Sequence, residues 1–121
     1  MATESEIRYF ENREDWRAWL TDNFAAATGI WFVFPSKSSG EKSVLYNDAV
    51  EEALCFGWID STIKSLDKEH KIQRFTPRNP RSTYSQANRE RLKWLLANGM
   101  IHPEFESKIR TVLSEPFVFP N

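Results

Sequence analysis

The chain has 121 residues, of which 40% are hydrophobic and 14% aromatic, and its 16 basic and 17 acidic side chains give a net charge of -1. This length is close to the commonest size of one domain, and the apolar content excludes a mainly disordered chain, so we expect a single domain over residues 1–121. No apolar run approaches the roughly 20 residues of a membrane helix and the first residues are acidic, so we expect a cytoplasmic protein without membrane insertion.

The first half of the chain predicts a helix, a strand and a second helix. Asn12 followed by Asp15 is typical of a helix start, and apolar residues recur after it at the spacing of one helix face. The aromatic and β-branched run at 30–34, which lies between a glycine and a proline, indicates a buried strand. Asn47 is the expected cap of the second helix, and Gly57 is the residue expected to end it.

The second half predicts a hairpin and two more helices. Apolar and polar residues alternate on both sides of a turn cluster within 58–76, which indicates a β-hairpin. The third helix is expected to begin at Ser82 or Ser85 and to run to Asn98. Pro103 marks the start of the fourth helix, because the first helical position does not need the N–H that proline lacks.

Together these elements predict an α+β fold, in which a small antiparallel sheet of about three strands packs against about four helices. The hairpin at 58–76 should join the strand at 30–34. The apolar stripes predict that eleven residues are mostly buried: Trp16, Trp19, Leu20, Ile30, Phe32, Leu54, Ile59, Leu92, Leu95, Ile109 and Leu113.

The sequence carries none of the familiar catalytic or cofactor motifs. It has no complete glycine-rich phosphate loop, no G-x-S-x-G nucleophile elbow and no H-E-x-x-H helix. Cys55 is the single cysteine, and its apolar neighbours predict a buried and inert thiol. Because only His70 and His102 accompany it, we expect no structural metal and no cofactor. Whether the protein is an enzyme stays open at this point.

Charge is unevenly distributed along the chain. Residues 71–93 contain seven basic side chains and one acidic side chain, whereas the remainder contains nine basic and sixteen acidic ones. A basic face attracts a small anion or a nucleic-acid backbone, and the alternative is a solvated helix surface with internal ion pairs. The pI of about 6.1 lies below the range of dedicated nucleic-acid-binding domains, so nucleic-acid binding is the alternative to a small anionic ligand.

Within this region, segment 74–85 indicates an anion-binding site. It combines three arginines with two serines just before the third helix, and both guanidinium groups and helix N-termini favour anions. In the structural alternative, the serines cap the helix and an arginine pairs with Asp60 across the hairpin. Asn88 should point inward, either to support the site or as a member of a buried network. The candidate ligand-binding residues are Trp58, Asp60, Arg74, Arg78, Arg81, Ser82, Tyr84, Ser85 and Asn88.

Asp60 has two possible functional roles. If paired residue numbers in the hairpin sum to an even value, Asp60 shares a face with Arg74 and can orient its guanidinium, while Arg78 and Arg81 stay free for an anion. In an enzyme, Asp60 would instead be the general base. A neighbouring arginine lowers the pKa of an aspartate, which makes it a weaker base at neutral pH.

Several of these motifs resemble one bacterial family. They are the run Ala-Val-Glu-Glu-Ala-Leu-Cys-Phe-Gly-Trp-Ile-Asp at 49–60, the run from Gln73 to Arg78, the pair Arg81-Ser82 with Ser85 and Asn88, and Gly99-Met100. In these motifs the chain is similar to the YdeI/OmpD-associated, bacteriocin-protection-like family. The resemblance covers residues 8–113 and corresponds to the N-terminal domain of longer members, which continue into a helical C-terminal module.

The resemblance implies a small bacterial protein for which no enzymatic activity is established. The family's name links its members to bacteriocin protection and envelope stress. Tyr84 stands where the family usually has a tryptophan, so an aromatic ring is kept there. By resemblance, the family's shared polar site consists of Trp58, Asp60, Arg74, Arg78, Arg81, Ser82, Ser85 and Asn88, and no reaction is implied with them.

Overall fold

The structure is a computed structural model that describes residues 6–117, and it confirms the predicted α+β class. In chain order the elements are β1 (Ile7–Tyr9), α1 (Arg13–Asn23), β2 (Ile30–Pro35), a short 3₁₀ helix (Lys37–Ser39), α2 (Tyr46–Cys55), β3 (Trp58–Asp67), β4 (His70–Pro77), α3 (Gln86–Ala97) and α4 (Pro103–Ser114). The four α-helices contribute to one core against a single face of the sheet.

The sheet has four strands in the order β1-β2-β4-β3. The hairpin strands β3 and β4 pair antiparallel, and β4 joins β2 as predicted. The expectation of a purely antiparallel sheet of about three strands is wrong, because β1 pairs parallel with β2 and places Ile7 opposite Trp31. All three residues of β1 are exposed, so no buried apolar pattern marks this strand in the sequence.

The core lies on the face of the sheet that the helices cover. Ile30 is paired with Phe75 on this face, and Phe32 lies beside them on β2. The indole of Trp16 in α1 meets the ring of Phe32 edge-on, with ring centroids 5.0 Å apart. Its Nε1 also donates to the carbonyl of Ala49 in α2 at 3.0 Å, so this buried tryptophan has both its apolar and its polar requirements satisfied.

Nine of the eleven residues predicted to be buried are buried. Ile59 and Leu113 are the exceptions, since both are half-buried. Ile59 pairs with Thr76, whereas its neighbour Asp60 pairs with the core residue Phe75. Because successive strand residues face opposite ways, Ile59 points to the outer face, which is the face of the sheet that the helices do not cover.

Three helix starts are confirmed: Asn12 caps α1, Ser85 caps α3 and Pro103 begins α4. The predicted cap of α2 is wrong. This helix begins at Tyr46, so Asn47 already lies inside its first turn, and the side chain of Asn47 accepts a hydrogen bond from Nε of Arg91 instead.

Helices α1 and α2 are joined by buried ion pairs that the sequence analysis did not predict. Glu52 is 1% exposed, and its carboxylate lies 2.6 Å from Nη2 of Arg13 and 2.8 Å from Nη1 of Arg17. Two guanidinium groups therefore compensate one buried carboxylate, as a buried charge requires.

The turn between α2 and β3 depends on Gly57. Its φ is 73°, and a Cβ at this position would lie 2.6 Å from Cε1 of Phe105. The absence of a side chain therefore permits both the left-handed turn and the close approach of α4.

The segment 36–45 contacts two strands of the sheet. Oε1 of Glu41 lies 2.7 Å from Nε2 of His70, and the carbonyl of Lys42 accepts a 2.6 Å hydrogen bond from the hydroxyl of Tyr9. The segment thus connects β4 with β1.

Candidate functional site

A cavity of about 380 Å³ lies between the β4–α3 loop, α3, α4 and the residues after α4. It is lined by Arg78, Pro80, Ser82, Thr83, Tyr84, Arg89, Lys108, Val112, Glu115, Pro116 and Phe117. Three of these side chains are basic and one is acidic, so the lining is net positive. The volume is within the range of about 300–1,000 Å³ that is usual for small-molecule sites.

The guanidinium group of Arg78 lies over the ring of Tyr84. Its guanidinium carbon is 3.7 Å from the ring centroid, and Nη2 donates to the carbonyl of Ser82. The backbone N–H of Arg78 also donates to the carbonyl of Gly57 at 2.9 Å, which fixes the start of the loop. Nε of Arg78 is buried and has no hydrogen-bond partner within residues 6–117. A buried donor of this kind calls for an acceptor.

Arg89 links α3 to the end of α4. It donates through Nη1 to the carbonyl of Val112 at 3.0 Å and through Nη2 to the carbonyl of Glu115. These carbonyls lie at the C-terminal end of α4, where a cation is favourable. Lys108 lies one turn before Val112 on the same face of α4, and it has no ion-pair partner within the described part of the chain.

Three predicted site residues come together at the cavity, namely Arg78, Ser82 and Tyr84. Tyr84 is buried, and this burial raises the pKa of its hydroxyl, an effect that the neighbouring Arg78 opposes. Arg81 is exposed in the same loop but does not line the cavity, and its backbone N–H donates to Oδ1 of Asn79 at 3.0 Å. Ser85 is the cap of α3, and its Oγ accepts from the N–H of Asn88 at 3.1 Å, as in the structural alternative.

Trp58 is a core residue and does not flank the cavity. It is 1% exposed, and its Nε1 donates to the carbonyl of Phe24 at 3.2 Å. Its ring meets that of Trp19 edge-on at 5.7 Å. Trp58 therefore does not line the cavity together with Tyr84, although both were predicted to bind the ligand.

Asp60 and Arg74 do not meet. Asp60 is paired with Phe75, so the sum of paired numbers is odd here, and Arg74 lies on the outer face. From Ile63 to Ser65 the paired numbers do sum to an even value, but the register shifts by one residue between Ile63 and Asp60. Asp60 accepts a hydrogen bond from the hydroxyl of Tyr46, which replaces both the functional and the structural arginine partner expected from the sequence.

Arg74 instead belongs to a cluster on the outer face. Its guanidinium carbon is 5.6 Å from the ring centroid of Trp31, and Nζ of Lys64 is 4.6 Å from the same ring. A Cβ on Gly29 would lie 2.8 Å from Nη2 of Arg74, so the arginine is held between the tryptophan and the backbone of this glycine.

Asn88 points inward as predicted and belongs to a polar network. Its Oδ1 accepts from Nη1 of Arg91 at 2.9 Å, and Nε of Arg91 donates to Oδ1 of Asn47 at the same distance. Tyr46 lies next to Asn47 in the first turn of α2. Partial burial and its hydrogen bond to Asp60 raise the pKa of this tyrosine to about 12. None of these five residues lines the cavity.

The basic residues of 71–93 therefore have different environments and do not form one continuous row. Arg74 lies on the outer face, Arg78 and Arg89 line the cavity, Arg91 donates to Asn47 and Asn88, and Lys93 pairs with Glu90 at 2.9 Å.

Sequence reasoning missed Lys108 and Val112. Their i, i+4 spacing places them on one face of α4, but only the packing of α4 shows that this face meets Tyr84.

Within the described residues, neither the cysteine nor a cluster of metal ligands gives a second site. Cys55 is fully buried, as predicted, and burial raises the pKa of its thiol to about 12. Within residues 6–117, no three His, Cys, Asp or Glu side chains are arranged so that they could hold a metal ion. In the same part of the chain, none of the helices has the length and apolar character needed to cross a membrane.

The comparisons with known proteins give a family without an assigned activity. No curated protein and no solved structure is significantly similar to this chain. The resemblance to the YdeI/OmpD-associated family stays a prediction from the motifs that carry it. A family model does match residues 8–108, which include the loop with Arg78 and all of α3. The chain belongs to the family described as Domain of unknown function (DUF8412).

Proposed function

We propose that the protein binds a small anionic ligand in the cavity lined by Arg78, Arg89 and Lys108. The observation that carries this proposal is the convergence of three cations, from a loop and two helices, on one cavity of small-molecule size. The buried Nε of Arg78 adds a hydrogen-bond donor without an acceptor in the described residues. Carboxylate and phosphate oxygens are the acceptors that guanidinium groups bind most strongly.

The proposal is binding rather than catalysis. Asp60, the general base of the enzyme alternative, lies outside the cavity and is hydrogen-bonded to Tyr46. The charged groups that line the cavity are suited to holding an anion in place. The family resemblance adds a proposed link to envelope stress or bacteriocin protection, and a cytoplasmic location without membrane insertion belongs to the same proposal.

Titration of the protein with inorganic phosphate and with acetate, followed by amide chemical shifts, tests the proposal. We expect saturable shifts around Arg78, Tyr84 and Lys108. Arg78→Gln and Lys108→Ala should each weaken binding at least about tenfold, because each removes a charge-assisted contact.

Arg110→Ala is the matched control. It removes one positive charge from the same helix, but Arg110 pairs with Glu106 at 2.9 Å and lies outside the cavity. Its affinity should stay within about twofold of the unchanged protein, since exposed ion pairs contribute little. The absence of saturable shifts, or an equal loss in the control, would show that the cavity is not an anion site.

Nucleic-acid binding is the competing function, and an oligonucleotide titration distinguishes it. Binding to a phosphate backbone releases counterions, so its affinity falls steeply with salt. The dispersal of Arg74, Arg91 and Lys93 over separate surfaces argues against such a footprint. Tight, strongly salt-dependent binding of single-stranded DNA that Arg78→Gln does not weaken would favour nucleic acid over the cavity.

A further inference from the structure

We infer that the ligand of this cavity is an amphipathic anion, in which one carboxylate or phosphate group is carried on an apolar, aromatic body. This inference rests on the proposed function and adds the chemical class of the anion. The evidence is the set of apolar, aromatic and acidic residues that line the cavity beside the three cations.

Nearly half of the lining is apolar or aromatic. Tyr84 and Val112 form part of the wall, and Pro80, Pro116 and Phe117 complete its apolar residues. A bare inorganic anion gains nothing from such walls and loses hydration beside them. An apolar body gains free energy by removing the same surfaces from water, at roughly 25 cal/mol per Å².

The stack of Arg78 on Tyr84 favours a planar ligand. The guanidinium carbon lies over the ring, 3.7 Å from its centroid, and Nη2 donates to the carbonyl of Ser82. A guanidinium is weakly hydrated and stacks readily on aromatic rings, so it tolerates an apolar neighbour better than an ammonium does. Arg78 can therefore contact both the anionic group and the ring that carries it.

Glu115 limits the charge of the ligand. Its side chain is the one acidic group among the lining residues, and like charges repel strongly at short range. A ligand with a single anionic group can bind the cations of Arg78 and Lys108 while its uncharged body faces Glu115. A polyphosphate would place further negative charge near that carboxylate.

Calorimetry with three matched probes tests the inference: phenyl phosphate, inorganic phosphate and benzyl alcohol. We expect phenyl phosphate to bind at least about tenfold more tightly than inorganic phosphate, and benzyl alcohol to show no measurable binding. 3-Phenylpropionate against acetate repeats the comparison for a carboxylate and shows which anionic group the cations prefer.

Two substitutions test whether the apolar lining of the cavity causes the preference for phenyl phosphate. Val112→Ala should weaken phenyl phosphate about threefold and leave inorganic phosphate unchanged, because it removes apolar contact but no charge. Leu66→Ala is its control, since Leu66 is 45% exposed and does not line the cavity. Arg78→Gln should weaken both anions.

The outcomes separate the two proposals. If inorganic phosphate binds as tightly as phenyl phosphate and Arg78→Gln weakens both, the cavity is an anion site but the amphipathic class is wrong. If neither anion binds, both proposals are wrong. If phenyl phosphate binds and its chemical-shift changes centre on Trp31 instead of Tyr84, the inference about this cavity is overturned.

Discussion

The carboxylate of Glu52 and the guanidinium of Arg13 form a buried ion pair, in which Oε2 and Nη2 are 2.6 Å apart. Glu52→Gln removes the buried negative charge, so that Arg17 loses its carboxylate partner and Arg13 keeps only its more exposed partners Asp48 and Glu51. We expect the free energy of unfolding to fall by about 3 kcal/mol, as is usual when one partner of a buried pair is removed. Urea denaturation measures this loss.

Glu106→Gln is the control for that change, because Glu106 forms an exposed pair with Arg110 on α4. Its effect should be below about 0.5 kcal/mol. Equal losses of stability in the two variants would mean that the buried ion pairs of Glu52 stabilise the fold no more than an exposed ion pair does.

Gly57→Ala should destabilise the fold more than Gly99→Ala. Both glycines have left-handed φ values, 73° and 67°, so both substitutions carry the same backbone strain. A Cβ on Gly99 meets no atom within 4 Å, whereas a Cβ on Gly57 collides with the ring of Phe105. We expect about 1 kcal/mol for Gly99→Ala and at least about 2 kcal/mol more for Gly57→Ala in thermal or chemical unfolding.

Asp60→Asn should lower the pKa of Tyr46 from its value of about 12 towards its ordinary value of about 10. Partial burial of the ring is the larger cause of the shift and stays in the variant, so the pKa of Tyr46 should fall only part of the way. The Cζ signal of Tyr46 in an alkaline NMR titration reports the change. Asp67→Asn, which alters a carboxylate next to His70, should leave that signal unmoved.

The same Asp60→Asn variant tests whether the polar network of Asp60 and Tyr46 affects ligand binding in the cavity. Since Asp60 does not line the cavity, its replacement should leave the affinity for phenyl phosphate within about twofold. A large loss of affinity would place Asp60 in the ligand site after all.

His70 should make the attachment of segment 36–45 dependent on pH. Hydrogen bonds to Asp67 first and to Glu41 second raise the pKa of His70 above its ordinary value of about 6.5. A raised pKa in the folded state means stabilisation that is complete below about pH 6.5 and is lost as the pH rises through the folded-state pKa. The same bond to His70 lowers the pKa of Asp67.

Glu41→Gln tests this pH dependence. The pKa of His70, measured from its ring proton signals, should fall in the variant. The difference in stability between the two proteins should be larger at about pH 5.5 than at about pH 8.5. Glu14→Gln, in the first turn of α1, is the control and should not move the His70 signals. An unchanged pKa in Glu41→Gln would show that the contact between segment 36–45 and His70 does not persist in solution.

The helix starts that were predicted correctly are those marked by a residue within the same helix turn. Asn12, Ser85 and Pro103 act within their own helix turn, so their effect is visible in a few neighbouring residues. Leu45 precedes α2 without a side-chain hydrogen bond, so no capping residue marks that start. Strand β1 is three exposed residues long and depends entirely on the distant β2.

The site was harder to predict because it depends on register and packing. The irregularity between Asp60 and Ile63 shifts the register of the hairpin partway along β3, and no residue of the turn predicts this shift. The segment with Arg78 was recognised from its composition, but the cavity also needs Arg89 and Lys108. These residues converge only because the end of α4 packs beside the start of α3.

The position of β4 in the middle of the sheet has a consequence for biosynthesis. β4 is the last strand to leave the ribosome, yet β2 needs it as a partner, and the pairing of Phe32 with Gln73 closes a loop of about 40 residues. The most aromatic strand therefore emerges well before its hydrogen-bonding neighbour, a situation in which nascent chains are prone to aggregate. Helix α1, synthesised just before β2, can shield Phe32 through Trp16 until the hairpin is complete.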